Sequence, residues 1–348
     1  MSEPEVLCKQ TGRCGTITLN RPQAFNALTL TMVREIAAAL DQWESDPAIA
    51  SVAVTGAGGK AFCAGGDIRI LYNLGKAGRY DEQLRFWREE YRLNRRIKLY
   101  AKPYLALAEG IVMGGGAGIS VHGASVIAGE NFSFAMPEAG IGFVPDVGAT
   151  CFLPRLPDRA GLYLALTGAR LTCGDALAFD VASVHVPSAR HAALIDRLAQ
   201  GEPVDAAIAA ARALPPPSAL VQQATLIARC FSPASLTAIL SNLDAEARAG
   251  SEFARSAACA IRAKSPASLA IILRQMQMGA KMDIDQALQT EFRIAARLAK
   301  AHDYYEGVRA VIIDKDNYPR WSPASPDDIQ DKDIDAYFAP LPEGELEF

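Results

Sequence analysis

Gly110-Ile111-Val112-Met113-Gly114-Gly115-Gly116-Ala117-Gly118 is the stretch from which the fold of this chain is read, together with two acids downstream, Glu138 and Asp146. Before it, Pro103-Tyr104-Leu105-Ala106-Leu107-Ala108 is a short apolar run bounded by Lys102-Pro103 and Glu109-Gly110, which suits a buried strand better than a helix. After the glycines, Ala117 to Val121 is small and apolar and suits the first turns of a buried helix. A strand that turns through glycines into a helix leaves backbone N–H groups unpaired, with the positive end of the helix dipole behind them. Such a turn stabilises developing negative charge. Glycine is required because a side chain would keep a bulky substrate away from the backbone and would forbid some of the angles. Taken alone, a glycine triplet is more often a tight packing turn, so its neighbours must decide.

Upstream, Gly15 to Asn20 alternates as a half-buried strand. Thr29 to Trp43 places Met32, Val33, Ile36, Leu40 and Trp43 at helical spacing with a threonine cap, and Ala50 to Thr55 is the next strand. Phe62-Cys63-Ala64-Gly65-Gly66-Asp67-Ile68 is a second small-residue turn after a strand; it can offer another backbone N–H to the same oxygen, but taken alone it reads as a plain loop. Arg85 to Lys98, containing Glu89 and Glu90, reads as a solvated helix face. Gly59-Lys60 is not a phosphate loop, since Val54 stands where a glycine is needed and Ala61 where Ser or Thr is needed; nor does Gly114 to Gly118 fit a dinucleotide fingerprint.

Downstream, Ser125 to Ala128 and Asn131 to Ala135 read as strands, and Met136-Pro137-Glu138 leaves the second because proline ends sheet pairing. Glu138 to Thr150 is then a glycine-rich irregular loop, the kind of segment that carries function on a rigid scaffold. From Ala160 the composition turns helical, with segments at 176–182, 191–200, 204–213, 219–229, 233–248, 266–278 and 284–301. Pro215-Pro216-Pro217 and Ser218 are the best hinge candidate, and the Pro- and Asp-rich tail after Pro319 is expected on the surface. No internal repeat is visible. The four histidines lack metal-ligand spacing and no HExxH occurs, so no metal is expected. The absence of GxSxG removes the usual signal for a serine triad.

With 348 residues, half of them hydrophobic, the chain can bury a sizeable core. Its mixed charge, net −4, calls for neither nucleic acid nor an anionic membrane, and no apolar run reaches spanning length. The seven cysteines are scattered without a CxxC pair, and the acidic Met-Ser-Glu-Pro-Glu start shows no secretory or transit signal. A cytoplasmic protein with reduced thiols is the expectation.

Asn20-Arg21-Pro22 with Asn26-Ala27-Leu28, then Phe62 to Ile68, Gly110 to Gly118 and Met136-Pro137-Glu138 resemble, in order, the enoyl-CoA hydratase/isomerase (crotonase) superfamily. Further stretches resemble its 3-hydroxyisobutyryl-CoA hydrolases: Arg88-Glu89-Glu90-Tyr91, Ser120-Val121-His122-Gly123, Pro145-Asp146-Val147-Gly148 with Phe152 to Leu156, and His302-Asp303 with Glu306 to Ala310. The resemblance implies an α/β spiral of strand-strand-helix turns. Residues 1–200 would form the core with the CoA-thioester site, and residues 201–348 a helical region packing on it. It implies hydrolysis of a short branched hydroxyacyl-CoA, with 3-hydroxyisobutyryl-CoA of valine breakdown as the best candidate. No cofactor is implied beyond the coenzyme A of the substrate. The N–H groups of Gly66 and Gly115 would form the oxyanion hole, Glu138 and Asp146 would be the catalytic acids, and Glu90 would lie at the substrate. Main chain near Ala24, Ala64, Asp67 and Ile68 would hold CoA. Trimers or paired trimers are common in the superfamily, which leaves a homo-oligomer open. Hydratases carry a glutamate three residues after the middle glycine; here that place is Gly118, so only the Glu138 position of their glutamate pair is filled. Val144 and Ala149 depart from the hydrolase pattern, where an aromatic and a glycine are common, and bear on acyl-chain fit.

Overall fold

The structure, a computed structural model, describes residues 3–342 and 344–348. The chain forms two compact units. The first comprises residues 1–67, 89–134 and 171–221, and the second residues 68–88, 135–170 and 222–348. Each unit therefore draws on both the 1–200 and the 201–348 parts of the chain. The passage at 221/222 follows directly on the proline run singled out as a hinge. That run is tied down: Ser218 Oγ and the Leu220 N–H both donate to Asp175 Oδ1, at 2.7 and 3.0 Å.

The first unit carries two sheets. In chain order the strands are β1 (Val6–Thr11), β2 (Cys14–Leu19), β3 (Ser51–Gly56), β4 (Ala61–Cys63), β5 (Tyr104–Ala108), β6 (Ile111–Met113), β7 (Ser125–Ala128), β8 (Ser133–Ala135), β9 (Leu171–Thr172) and β10 (Val184–His185). The larger sheet has the order β1-β2-β3-β5-β7-β10 and the smaller β4-β6-β8-β9. Only β1 runs antiparallel in the larger sheet. Three times in succession the chain gives one strand to the larger sheet and the next to the smaller: β3 then β4, β5 then β6, β7 then β8. This is the strand-strand turn of the spiral. Its second strands are only three or so residues long, too short for the sequence to show a repeat.

β5 is buried along its whole length, as a central parallel strand must be, which explains its unbroken apolar run. Leu105 and Leu107 pack with Cys14, Ala53 and Ile127 against Leu194, Leu198, Ala207 and Ala211 of the helices His191–Ala199 and Val204–Ala211. Helix α1 (Leu30–Ser45) starts where expected, with Thr29 Oγ1 accepting from the Met32 N–H, and buries Met32, Val33, Ile36, Ala39, Leu40 and Trp43.

Two expectations are corrected. The charged segment at 85–98 is not a solvated face. It belongs to α3 (Tyr80–Lys98), preceded by α2 (Ile68–Lys76), and α3 buries Gln83, Phe86, Trp87, Glu90, Tyr91, Leu93, Asn94 and Ile97. The apolar stripe at helical spacing was hidden among arginines and glutamates on the opposite face. The tail is also more than surface. Helix Asp331–Phe338 buries Ile334, Leu346 is fully buried, and Glu345 binds Arg293 at 2.9 Å.

In the second unit, Trp87 stacks on Phe143 with centroids 5.4 Å apart, and Tyr304 meets both rings. The helices Ala160–Thr167, Leu236–Arg248, Glu252–Arg262, Pro266–Gly279 and Ile284–Leu298 supply most of its core. Among the described residues, no single helix is long and apolar enough to cross a membrane.

Candidate active site

In the first unit the two glycine turns lie against each other. The 63–67 turn is stitched to residues 25–28: the Leu28 N–H donates to the Gly65 carbonyl at 2.7 Å, the Asp67 N–H to the Leu28 carbonyl at 2.8 Å, and the Ala64 N–H to the Phe25 carbonyl at 3.0 Å. This pairing uses the groups that flank Gly66 and leaves the Gly66 N–H out of the ladder. Asn26, fully buried, braces the strip by donating to the Ala57 and Ala61 carbonyls, and Arg21 binds Asp67 at 3.0 Å. The other turn follows β6. Gly114 takes φ 48° and Gly115 opens a helix, α4 (Gly115–Gly118), so the Gly115 N–H is among those that no helical carbonyl can satisfy. A Cβ built on Gly115 would lie 3.3 Å from the Gly66 nitrogen and would collide with Glu90 Oε1. Gly66, Gly115 and the buried Glu90 are thus brought together. Because α4 has only four residues, the expected helix continuing to Val121 and its dipole shrink to one turn, and the polarity of the place comes from the N–H groups themselves.

The second unit holds the other two acids. Glu138 opens a 3-10 turn, Glu138–Ile141, directly after Pro137; it is 7 % exposed, and its Oε2 has no hydrogen-bond partner among the described residues. Burial, reinforced by the charge of Asp146, holds its pKa well above the ordinary carboxylate value. Asp146 is likewise buried, in a turn where Val147 has φ 54° and Gly148 φ 90°. A β-branched residue in the left-handed region costs roughly 1–3 kcal/mol and persists only when its surroundings enforce it. The Asp146 carbonyl accepts from the Ala149 N–H at 2.9 Å, at the start of α5 (Ala149–Phe152).

The sequence profile of the enoyl-CoA hydratase/isomerase family matches residues 14–338. The chain belongs to that family. The family member described here is 42 % identical to the 3-hydroxyisobutyryl-CoA hydrolase, mitochondrial, of Danio rerio over 98 % of this chain and 91 % of that protein. It is 42 % identical to the protein of the same name from Homo sapiens over 99 % and 91 %. Two solved structures of the family superpose closely. A carnitinyl-CoA dehydratase from Mycobacterium thermoresistibile has a TM-score of 0.93 at 39 % identity, covering 99 % of this chain and 98 % of that one. An enoyl-CoA hydratase from Rhodobacter sphaeroides has a TM-score of 0.92 at 40 % identity, covering 99 % and 100 %.

The remaining residues suggested by the family resemblance fall as follows. Ala24 ends the 3-10 turn Pro22–Ala24, Ala64 and Asp67 lie in the stitched turn, and Ile68 opens α2 in the second unit. The Asp67 carboxylate binds Arg21 and its N–H donates to the Leu28 carbonyl. No cluster of three or more His, Cys, Asp or Glu side chains suited to a metal occurs among the described residues, and all seven cysteines are free. In the sequence Arg21 and Leu28 stood out only as parts of family motifs, and Gln275 and Glu291 carried no expectation. For Glu291 a signal existed: a lone acid on the face of Ile284–Leu298 that otherwise presents Leu288, Phe292 and Ala295 to the interior.

Proposed function

We propose that this family member is an acyl-CoA thioester hydrolase that converts 3-hydroxyisobutyryl-CoA and water into 3-hydroxyisobutyrate and CoA in valine breakdown. The observation that carries the reading is the occupancy of the two acid positions. Hydration of a double bond in this family uses two glutamates, and here Glu138 is kept while the other place is Gly118. The full-length similarity to proteins named as 3-hydroxyisobutyryl-CoA hydrolases agrees with it.

In this reading the thioester carbonyl oxygen accepts from the Gly66 and Gly115 N–H groups, which stabilise the negative charge that builds as the carbonyl carbon is attacked. Losing one such donor costs about 3–4 kcal/mol of barrier. Glu138 supplies the carboxylate, either attacking the carbon to give an anhydride or drawing a proton from the attacking water. Its raised pKa makes the ionised form a stronger base than an exposed glutamate. Asp146 binds the substrate hydroxyl or handles the second proton, and Glu90 lines the acyl group. The C–S bond breaks, the thiolate takes a proton and CoA leaves; on the anhydride route water then cleaves the anhydride, releasing the free acid and restoring Glu138. Main chain at Ala24, Ala64, Asp67 and Ile68 holds the CoA moiety, and no further cofactor is needed.

The test is thiol release from 3-hydroxyisobutyryl-CoA and from a straight-chain 3-hydroxyacyl-CoA, by wild type and by Glu138→Gln. Release by wild type, with a loss of at least a hundredfold in the variant and binding retained, is expected. The two superposed structures, named as a carnitinyl-CoA dehydratase and an enoyl-CoA hydratase, favour a second reading, water addition to an enoyl-CoA. Loss of enoyl absorbance from an unsaturated acyl-CoA without thiol release would establish it instead. Binding of CoA esters with neither reaction would mark a silent binder. Cytoplasmic location also remains our proposal, supported by the free cysteines and tested by cell fractionation; the animal relatives are named as mitochondrial. Light scattering on the purified protein decides whether it forms a homo-oligomer.

A further inference from the structure

The turn that carries Asp146 is held by more than its own Asp146–Ala149 hydrogen bond. Val147, β-branched and fully buried, sits at φ 54°. Glu291, fully buried on Ile284–Leu298, accepts from the Gly148 N–H at 2.7 Å and from the Thr150 N–H at 2.8 Å. These N–H groups stand at the start of α5, where the helix offers them no carbonyl. From the neighbouring helix Pro266–Gly279, Gln275 donates its amide to the Pro145 carbonyl at 2.7 Å and to the Thr150 hydroxyl at 2.6 Å. One turn further, Gly279 approaches so closely that a Cβ there would collide with the Thr150 carbonyl. The grips therefore fall at residues 145, 148 and 150, on both sides of Asp146 and Val147.

We infer that Glu291, seconded by Gln275, is a positioning residue that fixes the Asp146 carboxylate for turnover. The inference rests on the reading of Asp146 as one of the catalytic acids. A buried carboxylate is a costly means of tying down a loop. The cost shows in its pKa, which burial pushes up to about 8. What it gives in return is geometry: in its ionised form it has two acceptors and no donor, matched to two N–H groups. Glutamine at the same place keeps one acceptor and sets an N–H against an N–H. Glu291→Gln is thus the smallest change that loosens the turn while preserving side-chain size.

The experiment measures kcat and KM for 3-hydroxyisobutyryl-CoA in wild type, Asp146→Asn, Glu291→Gln and Gln275→Met, and in Asp146→Asn combined with each of the last two. Glu291→Gln is expected to lower kcat at least tenfold with KM within threefold, and Gln275→Met to act in the same direction. In the Asp146→Asn background each is expected to change kcat less than twofold, because the group being positioned is gone. Equal losses in both backgrounds would mean a purely structural role and overturn the inference, as would a wild-type kcat for Glu291→Gln while Asp146→Asn is slow. Asp146→Asn at the wild-type rate would overturn the assignment of the acids, and this inference with it. Should Glu291→Gln fail to fold, the cycle with Gln275→Met decides by the same criteria.

Discussion

Burial and the Asp146 charge both disfavour the ionised form of Glu138, and this has consequences for stability and for rate. The folded protein keeps a proton that the unfolded chain releases near the ordinary value of 4.5. Stability from this group is therefore intact below about that pH and is lost as the pH rises toward the raised folded value. Glu138→Gln should accordingly gain thermal stability over wild type, with the gain larger at pH 8 than at pH 4.5, as calorimetry at the two pH values will read. The rate has the opposite sign. Because the reaction as proposed needs the ionised carboxylate, wild-type kcat/KM should climb along an acid limb centred above pH 4.5. Asp146→Asn should move that limb to lower pH, whatever it does to the plateau, since it removes a charge that raises Glu138. A limb that stays in place would show that Asp146 does not act on Glu138. At this scale the sequence offered candidate acids but not their states, which depend on burial that no local pattern reports.

The glycine turns are where element geometry governs chemistry. At Gly116 a Cβ would run into the Cys63 backbone, which has no rotamer with which to yield. Gly116→Ala should therefore cost about 1–3 kcal/mol of stability, seen as a lowered melting temperature. At Gly115 the two nearest obstacles are side-chain atoms, Glu90 Oε1 and Leu28 Cδ1, with the Gly66 nitrogen next at 3.3 Å. Gly115→Ala should fold, and lose on the order of a hundredfold in kcat as the N–H donor is crowded. If the two variants show the same balance of stability and activity, the distinction between a packing glycine and a site glycine fails. The strand β5, the helix α1 and both turns were legible because their apolar spacing and glycines act locally. The buried face of α3 was not, since its charged outer face dominates the composition.

Across the whole molecule, the chain passes repeatedly between two units, so neither is a contiguous piece of sequence. The last residues illustrate what composition conceals. Leu346 is fully buried, whereas the Arg293–Glu345 pair beside it is about a quarter exposed on each side. Leu346→Ala should cost about 2–5 kcal/mol, and Glu345→Gln no more than about 1 kcal/mol. Denaturant unfolding of the two variants checks both, and the reverse order would show that the tail is held by charge rather than by burial.

The sequence by itself determined the family, the strands β2, β3, β5 and β7 and the helix α1, because each is written in a short contiguous motif or spacing. Tertiary structure decided which N–H groups stay unpaired, since that depends on Leu28 pairing across Gly66. It placed Glu90 against Gly115, and set Glu291 on a turn more than 140 residues earlier in the chain. These are long-range contacts, and a carboxylate on a helix reads alike in sequence whether it meets water or the two N–H groups of a strained loop.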